Sequence, residues 1–216
     1  MKKSTISTGL AVFVAVALVL NSSSAQMRSG KLGVGFEGSL YLFNPNIKDN
    51  LMKGGGGASL SYSIMEHVGL RATLGDGQLG WKDINDLSNT TTVLSGDVKI
   101  SYDILPHNSF NPFLFVGAGG IYFDPRSDQG NYLATNMDKV DVVYLGGVGF
   151  DFFFNEFVSM TLSGDFVMTN TNKLDMGKYT SNGSYSRVNL EFRYYFFDQD
   201  YITKLLKALQ ERYTKK

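Results

Sequence analysis

RVNLEFRYYFF, residues 187–197, alternates almost without a break. Val188, Leu190, Phe192, Tyr194 and Phe196 share one face of an extended strand; Arg187, Asn189, Glu191, Arg193 and Tyr195 share the other. The same period of two recurs over residues 31–43, 56–64, 67–75, 92–104, 112–122, 141–154 and 157–168, and the quoted stretch belongs to an eighth segment, 185–197. In all eight the apolar face falls on even numbers, as in Leu32, Val34, Phe36, Leu40 and Leu42, or Val158, Met160, Leu162, Phe166 and Met168. No charged residue stands on that face within these limits. A chain of this kind is all-β, and its strands share one apolar surface. That surface meets either a soluble core or lipid.

The odd face separates the two. It carries Glu37, Arg71, Asp97, Lys99, Asp151, Asp165, Arg187, Glu191 and Arg193 among small residues such as Gly33, Gly35, Ser59, Ser61, Thr73, Ser95, Thr161 and Ser163. A face meeting bulk water is ordinarily rich in Lys and Glu. Small groups with a few charges of both signs suit the narrow lumen of an eight-stranded barrel, which side chains can fill. The fifth segment, 112–122, is the exception: Phe113, Phe115 and Ile121 stand on its odd face, which leaves its register open.

Two further patterns agree with lipid. The odd-numbered links, about 44–55, 76–91, 123–140 and 169–184, are long and polar; the even-numbered ones, Met65–Glu66, Leu105–Asn111 and Asn155–Glu156, are short. Outer-membrane barrels sort long loops outside the cell and short turns to the periplasm. Aromatic residues crowd the strand ends, including Tyr41, Tyr62, Trp81, Tyr102, Tyr122, Phe123, Phe154, Phe157, Tyr194 and Tyr195, as interfacial girdles would. The expected fold is therefore an eight-stranded antiparallel up-and-down transmembrane β-barrel over 26–197. Its long loops are expected to be extracellular and both mature termini periplasmic. Closure satisfies every backbone group in hydrocarbon and holds the chain without a disulfide, for there is no Cys.

The N-terminus predicts export. Lys2 and Lys3 precede an apolar run from Gly9 to Leu20, and small residues stand at Ser23 and Ala25, so 1–25 reads as a signal peptide. The run is shorter than the roughly 20 residues of a membrane-spanning helix. Lys and Arg number 20, as do Asp and Glu, and loss of the leader leaves a slight acidic excess, so nothing suggests nucleic acid. Residues 198–216, DQDYITKLLKALQERYTKK, predict a short periplasmic amphipathic helix: Ile202, Leu205, Leu206, Leu209 and Tyr213 share a face beside Lys204, Lys207, Arg212, Lys215 and Lys216. Such a tail suits the inner leaflet, the periplasmic mouth or a partner, or frays.

Three stretches carry a resemblance: YDILPHNSFNPFLFVGAGGIYF (102–123), YLGGVGFDFFFNEFVSMTLSGDF (144–166) and the aromatic closing strand. Together they resemble the small OmpA-like outer-membrane β-barrel domains over about 31–197. The resemblance implies a barrel in the outer membrane of a Gram-negative-type cell. It also implies contact with outer-membrane lipid and lipopolysaccharide, and assembly by the machinery that reads such a closing strand. A peptidoglycan-binding domain often follows in that family; only the short tail follows Phe197 in this sequence. A monomer is expected.

Chemistry-bearing motifs are weak. GGGG (54–57) and GAGG (117–120) lack the Lys and Ser/Thr of a phosphate-binding loop. DPRSDQGN (124–131) does not meet calcium-loop spacing. His67 and His107 both fall at the short-turn side, so the outer rim has no His base and no enzyme is expected. Neither cofactor nor metal is expected. Five of the nine lumen charges are acids and four are bases, with Lys31 near the rim as a fifth base, and this balance of signs predicts ion-pair networks that fill the barrel. The expected role is structural or surface-interactive. A narrow small-solute channel is the alternative, ahead of a lipid-modifying enzyme or a soluble ligand-binding barrel.

Overall fold

The computed structural model describes residues 30–43, 50–82, 88–127, 139–170, 174 and 183–198. The expected leader and the helical tail beyond Asp198 lie outside the described residues. The strands are β1 Lys31–Phe43, β2 Asn50–Leu51, β3 Lys53–Ser63, β4 Val68–Lys82, β5 Ser88–Asp103, β6 Phe110–Ser127, β7 Val140–Phe153, β8 Val158–Thr169 and β9 Ser184–Asp198. Every neighbouring pair is antiparallel. β1 pairs with β9 and β4 with β5, so the sheet closes on itself. β2 lies along β4 in line with β3, one residue out of register (Leu51 faces Gly80, Gly55 faces Gly77). The two are one barrel strand broken at Met52. The fold is a closed eight-stranded up-and-down barrel.

Local side chains set the tight turns at one end. Asn155 Oδ1 accepts hydrogen bonds from the amides of Phe157 and Val158, both at 2.8 Å, and Asn111 Oδ1 accepts one from Leu105 at 3.0 Å. An Asn carboxamide mimics a backbone turn in this way. At the opposite end only 128–139 and 170–183 are long links; the expected long link 76–91 shrinks to 83–87 because β4 and β5 extend into it.

The even face turns outward, so the apolar face of RVNLEFRYYFF is on the outside of the barrel. Phe192, Tyr194 and Phe196 are each more than half exposed. The odd face turns inward and is buried. β6 obeys the same rule: Leu114, Val116 and Tyr122 are exposed, while Phe113, Phe115, Ile121 and Phe123 are buried. Its odd-face aromatics are lumen residues, which settles the register that periodicity left open.

Two expectations need correction. First, strands continue through what reads as loop: β4 runs to Lys82, β5 starts at Ser88 and β6 runs to Ser127. Polarity inverts in these extensions. Asp76, Gln78 and Thr92 point outward and are exposed, as is Arg126, whereas Leu79, Trp81 and Val93 are buried inside. The even face is thus charged beyond Leu74 and Tyr122. A strand needs only about 9–11 residues to cross a bilayer, and β4, β5 and β6 have 15, 16 and 18. Above the lipid, water wets the outside, and the apolar side chains must turn in. Second, Tyr41, Trp81, Phe123 and Tyr195 are not girdle residues. They are between 1% and 6% exposed, inside the barrel. Tyr62, Tyr102, Tyr122, Phe154, Phe157 and Tyr194 do lie on the outer surface near strand ends.

Candidate functional site

The candidate site is the lumen. Its floor, toward the short turns, is built around Glu191 on β9. This carboxylate accepts from Arg193 Nε at 3.1 Å and Nη2 at 2.8 Å, lies 3.2 Å from Arg71 Nη1, and accepts from the Ser59 hydroxyl. Arg193 donates to Tyr195 Oη at 2.9 Å and lies 4.0 Å from Asp151, which accepts from Thr161 Oγ1 at 2.5 Å. A second cluster stands further up. Arg187 Nη2 reaches Asp165 at 2.8 Å and Asp97 at 3.1 Å, and Lys99 Nζ reaches Asp165 at 3.1 Å and Asp97 at 3.5 Å. Asn189 completes it, donating to Asp165 Oδ1 at 2.9 Å.

Strand register explains the division. Arg71 faces Lys99 directly across β4–β5, and Glu37 faces Glu191 across β1–β9. Like charges opposite one another repel. Each pair diverges: Arg71 turns to Glu191 and Lys99 to Asp165. Ring faces also meet both cationic heads, with Arg71 Cζ 5.5 Å from the Phe113 centroid and Lys99 Nζ 5.4 Å from that of Phe115.

The structure thus brings eight of the nine sequence-predicted residues into two ionic clusters. Glu37, the ninth, forms no ion pair within 4 Å among the described residues; its carboxylate lies over Gly57. The centres of both clusters are buried, and only Arg71 of the eight is partly exposed. Glu191, Arg187, Asp165 and Arg193 are 1–3% exposed.

Sequence reasoning missed the upper closure. Tyr41, Leu79, Trp81, Val93, Ile121, Phe123, Val143, Val167, Leu174 and Tyr185 form a buried apolar plug above the ionic layers. Leu174 enters it from the β8–β9 link, its carbonyl accepting from Thr91 Oγ1 at 2.9 Å. The signal was present as an odd-face apolar run, Leu79, Trp81 and Val93, next to the apparent end of the even-face run. At the short-turn mouth a polar recess of about 20 Å³, lined by Ser61, Ser63, Arg71, Asp103, Asp151 and Arg193 among others, has room for roughly one water.

Neither His is near a cavity nucleophile. His107 pairs with Glu66 between two short turns, and His67 Nδ1 donates to the Asp103 carbonyl at 2.7 Å. Among the described residues no group of three or more His, Asp or Glu is placed to hold a metal.

These features define a class: a small barrel with lipid-compatible exterior and packed, charged interior. The family model for the outer membrane protein beta-barrel domain matches residues 13–196, and the chain belongs to that family. Similar solved structures include Neisserial surface protein A, 10% identical over 76% of this chain and 97% of that one, TM-score 0.54. OprG from Pseudomonas aeruginosa is 12% identical over 82% and 100%, TM-score 0.52. Ail, the attachment invasion locus protein of Yersinia pestis, solved in complex with the heparin analogue sucrose octasulfate, is 12% identical over 78% and 99%, TM-score 0.51. At these identities the likeness carries the fold. No curated protein sequence matches. The resemblance to small outer-membrane barrel domains therefore holds at the level of family and fold.

Proposed function

We propose that this protein is a structural or surface-interacting component of the outer membrane, with its long links outside the cell and both mature termini in the periplasm. The reading rests on one observation above others: seven of the nine lumen charges are 1–5% exposed and all seven are paired in two clusters beneath an apolar plug. A water-filled pore would leave such side chains wet. A catalytic site would need a base free to act, whereas four of the five lumen carboxylates, Asp97, Asp151, Asp165 and Glu191, are held by cations. The partners that follow are membrane lipid and lipopolysaccharide along the apolar wall, the barrel-assembly machinery during insertion, and ligands of the outer links. Ail, an attachment invasion locus protein, was solved with a heparin analogue; a polyanion on the cell exterior is one class of ligand to screen.

Single-channel recording on the refolded full chain in planar bilayers tests the reading. A closed lumen gives no unitary steps. Reproducible open steps would overturn it in favour of the small-solute channel. An epitope inserted within 129–136 should be detected on intact cells; detection only after lysis would reverse the orientation.

A further inference from the structure

Outward polarity inverts at different heights on different strands, and the strand registers measure by how much. Following hydrogen-bonded partners from Leu70 round the barrel, through Val116, Phe166 and Leu42, returns to β4 near Gly80, about ten residues higher. Strands about 4.8 Å apart with that stagger tilt by about 40°. Each residue along a strand then climbs about 2.5 Å, and each step across a ladder from β4 toward β7 climbs about 3 Å.

Leu74, the last outward apolar residue on β4, shares a ladder with Gly96, Gly120 and Val142. Val142 therefore stands about 9 Å above Leu74, and Val140, two residues further up β7, about 14 Å above it. Both valines are more than half exposed. The lower edge of the apolar band is level, for on both sides it ends at the short turns: Ile64 and Met65 are exposed below β3–β4, Phe154 and Phe157 below β7–β8. The lipid-facing band is a wedge. It is about 20 Å tall from the turn to Leu74 and about 35 Å from Phe154 to Val140, against roughly 25 Å for an outer-membrane barrel.

A flat slab of lipid cannot serve both sides. One that covers Val140 and Val142 drowns Asp76, Gln78 and Thr92, which point outward and are exposed. One that stops at Leu74 leaves Val140, Val142 and Tyr144 in water. Tilting the barrel moves the two edges of a side together and leaves the wedge unchanged. A bilayer yields to mismatch at modest cost, whereas a closed, hydrogen-bonded wall does not. We propose that the barrel thins the outer leaflet beside β3–β4, seating lipid headgroups against Asp76 and Gln78 at the height that acyl chains occupy beside β6–β7. The carboxylate and carboxamide there suit headgroup ammonium and hydroxyl donors. The proposal rests on the outer-membrane barrel reading above and says how that barrel shapes its lipid partner.

Gln78 and Val142 decide it, because they stand at about the same height, roughly 10 Å above Leu74, three strands apart. The chain has no Cys. Gln78→Cys and Val142→Cys variants of the full chain are each labelled with one small fluorophore and refolded into phosphatidylcholine vesicles. Bromine on the acyl chains should quench the probe at 142 and spare the probe at 78; aqueous iodide should do the reverse. Bromine quenching at both positions would overturn the proposal, as a flat bilayer reaching past Gln78. So would iodide quenching at both, a flat bilayer that ends below them. A probe at 142 shielded from both quenchers would also overturn it, because protein, such as a second copy of this chain, would then cover the tall side. A Val98→Cys probe keeps the two readings apart, since Val98 is half exposed in the middle of the band. If bromine fails to quench there, the transmembrane barrel itself is wrong; if it quenches there while 78 and 142 respond alike, only the wedge fails.

Discussion

At the scale of single residues, the lumen is governed by what a buried charge costs when its partner is removed. Arg187 holds Asp97 and Asp165 together and is almost fully buried. Arg187→Met leaves two acids to Lys99 and should destabilise the barrel by about 3–5 kcal/mol, the usual penalty for breaking a buried pair. Arg71→Met should cost less, because Glu191 keeps Arg193 and Arg71 lies at the wetter mouth. Urea unfolding in vesicles, followed by the fluorescence of Trp81 as the only Trp, would rank the two; equal losses would contradict the cluster assignment. Space is controlled as closely as charge. A Cβ on Gly77 would strike the buried Tyr41 ring, whereas one on outward-facing Gly38 meets nothing within 4 Å. Gly77→Ala should therefore cost about 1–3 kcal/mol through overpacking, and Gly38→Ala should be neutral or slightly stabilising. The same unfolding curves measure both.

At the scale of elements, each long strand is two strands end to end. The lower part of β4 points apolar groups out and polar groups in; its upper part does the reverse. The inversion marks where lipid stops. Just above it, Asp124 on β6 accepts from Lys139 Nζ at 2.5 Å and from Arg126 Nε at 2.9 Å. The Lys139 hydrogen bond, helped by Arg126 and opposed by desolvation, holds the Asp124 carboxyl below its ordinary value. A group depressed in the folded state contributes stability above its unfolded pKa of about 3.9 and loses it as pH falls through the lower folded value. The β6–β7 junction, where the Phe123 amide donates to the Lys139 carbonyl at 2.9 Å, should thus stay equally protected from neutral pH down to about 5. It should loosen below about 4. Hydrogen exchange at Phe123, corrected for the intrinsic pH effect, would show this, and Asp124→Asn should abolish the step. The extension itself was half legible. Leu79, Trp81 and Val93 alternate as well as any strand, but on the opposite parity, and a scan for one apolar face ends where that face ends.

At the scale of the whole molecule, closure is what makes the parts interdependent. Neither edge strand exists alone, since β1 is bonded on both sides and β4 meets β5. A closed, fully hydrogen-bonded barrel should resist detergent at room temperature, so the unheated protein should migrate faster than the boiled one. Identical migration would count against closure. Arg187→Met should lower the temperature at which the slow form appears, tying the ionic layer to the whole fold.

By itself the sequence determined the number of barrel strands, the face of each residue in seven of the eight periodic segments and the company of charges on the inner face. Those follow from the backbone period of two, a local property that holds wherever a strand forms. Tertiary structure alone decided which acid meets which base, why Glu37 stands apart, and that Trp81 looks inward from a strand extension rather than girding the membrane. Partner choice in a barrel depends on register across closing strands and on how far a side chain reaches over a neighbouring glycine. Neither is written in the spacing of any one segment. Register places Arg71 beside Lys99 and Glu37 beside Glu191. The repulsion this creates is relieved only by groups brought from strands far away in the chain.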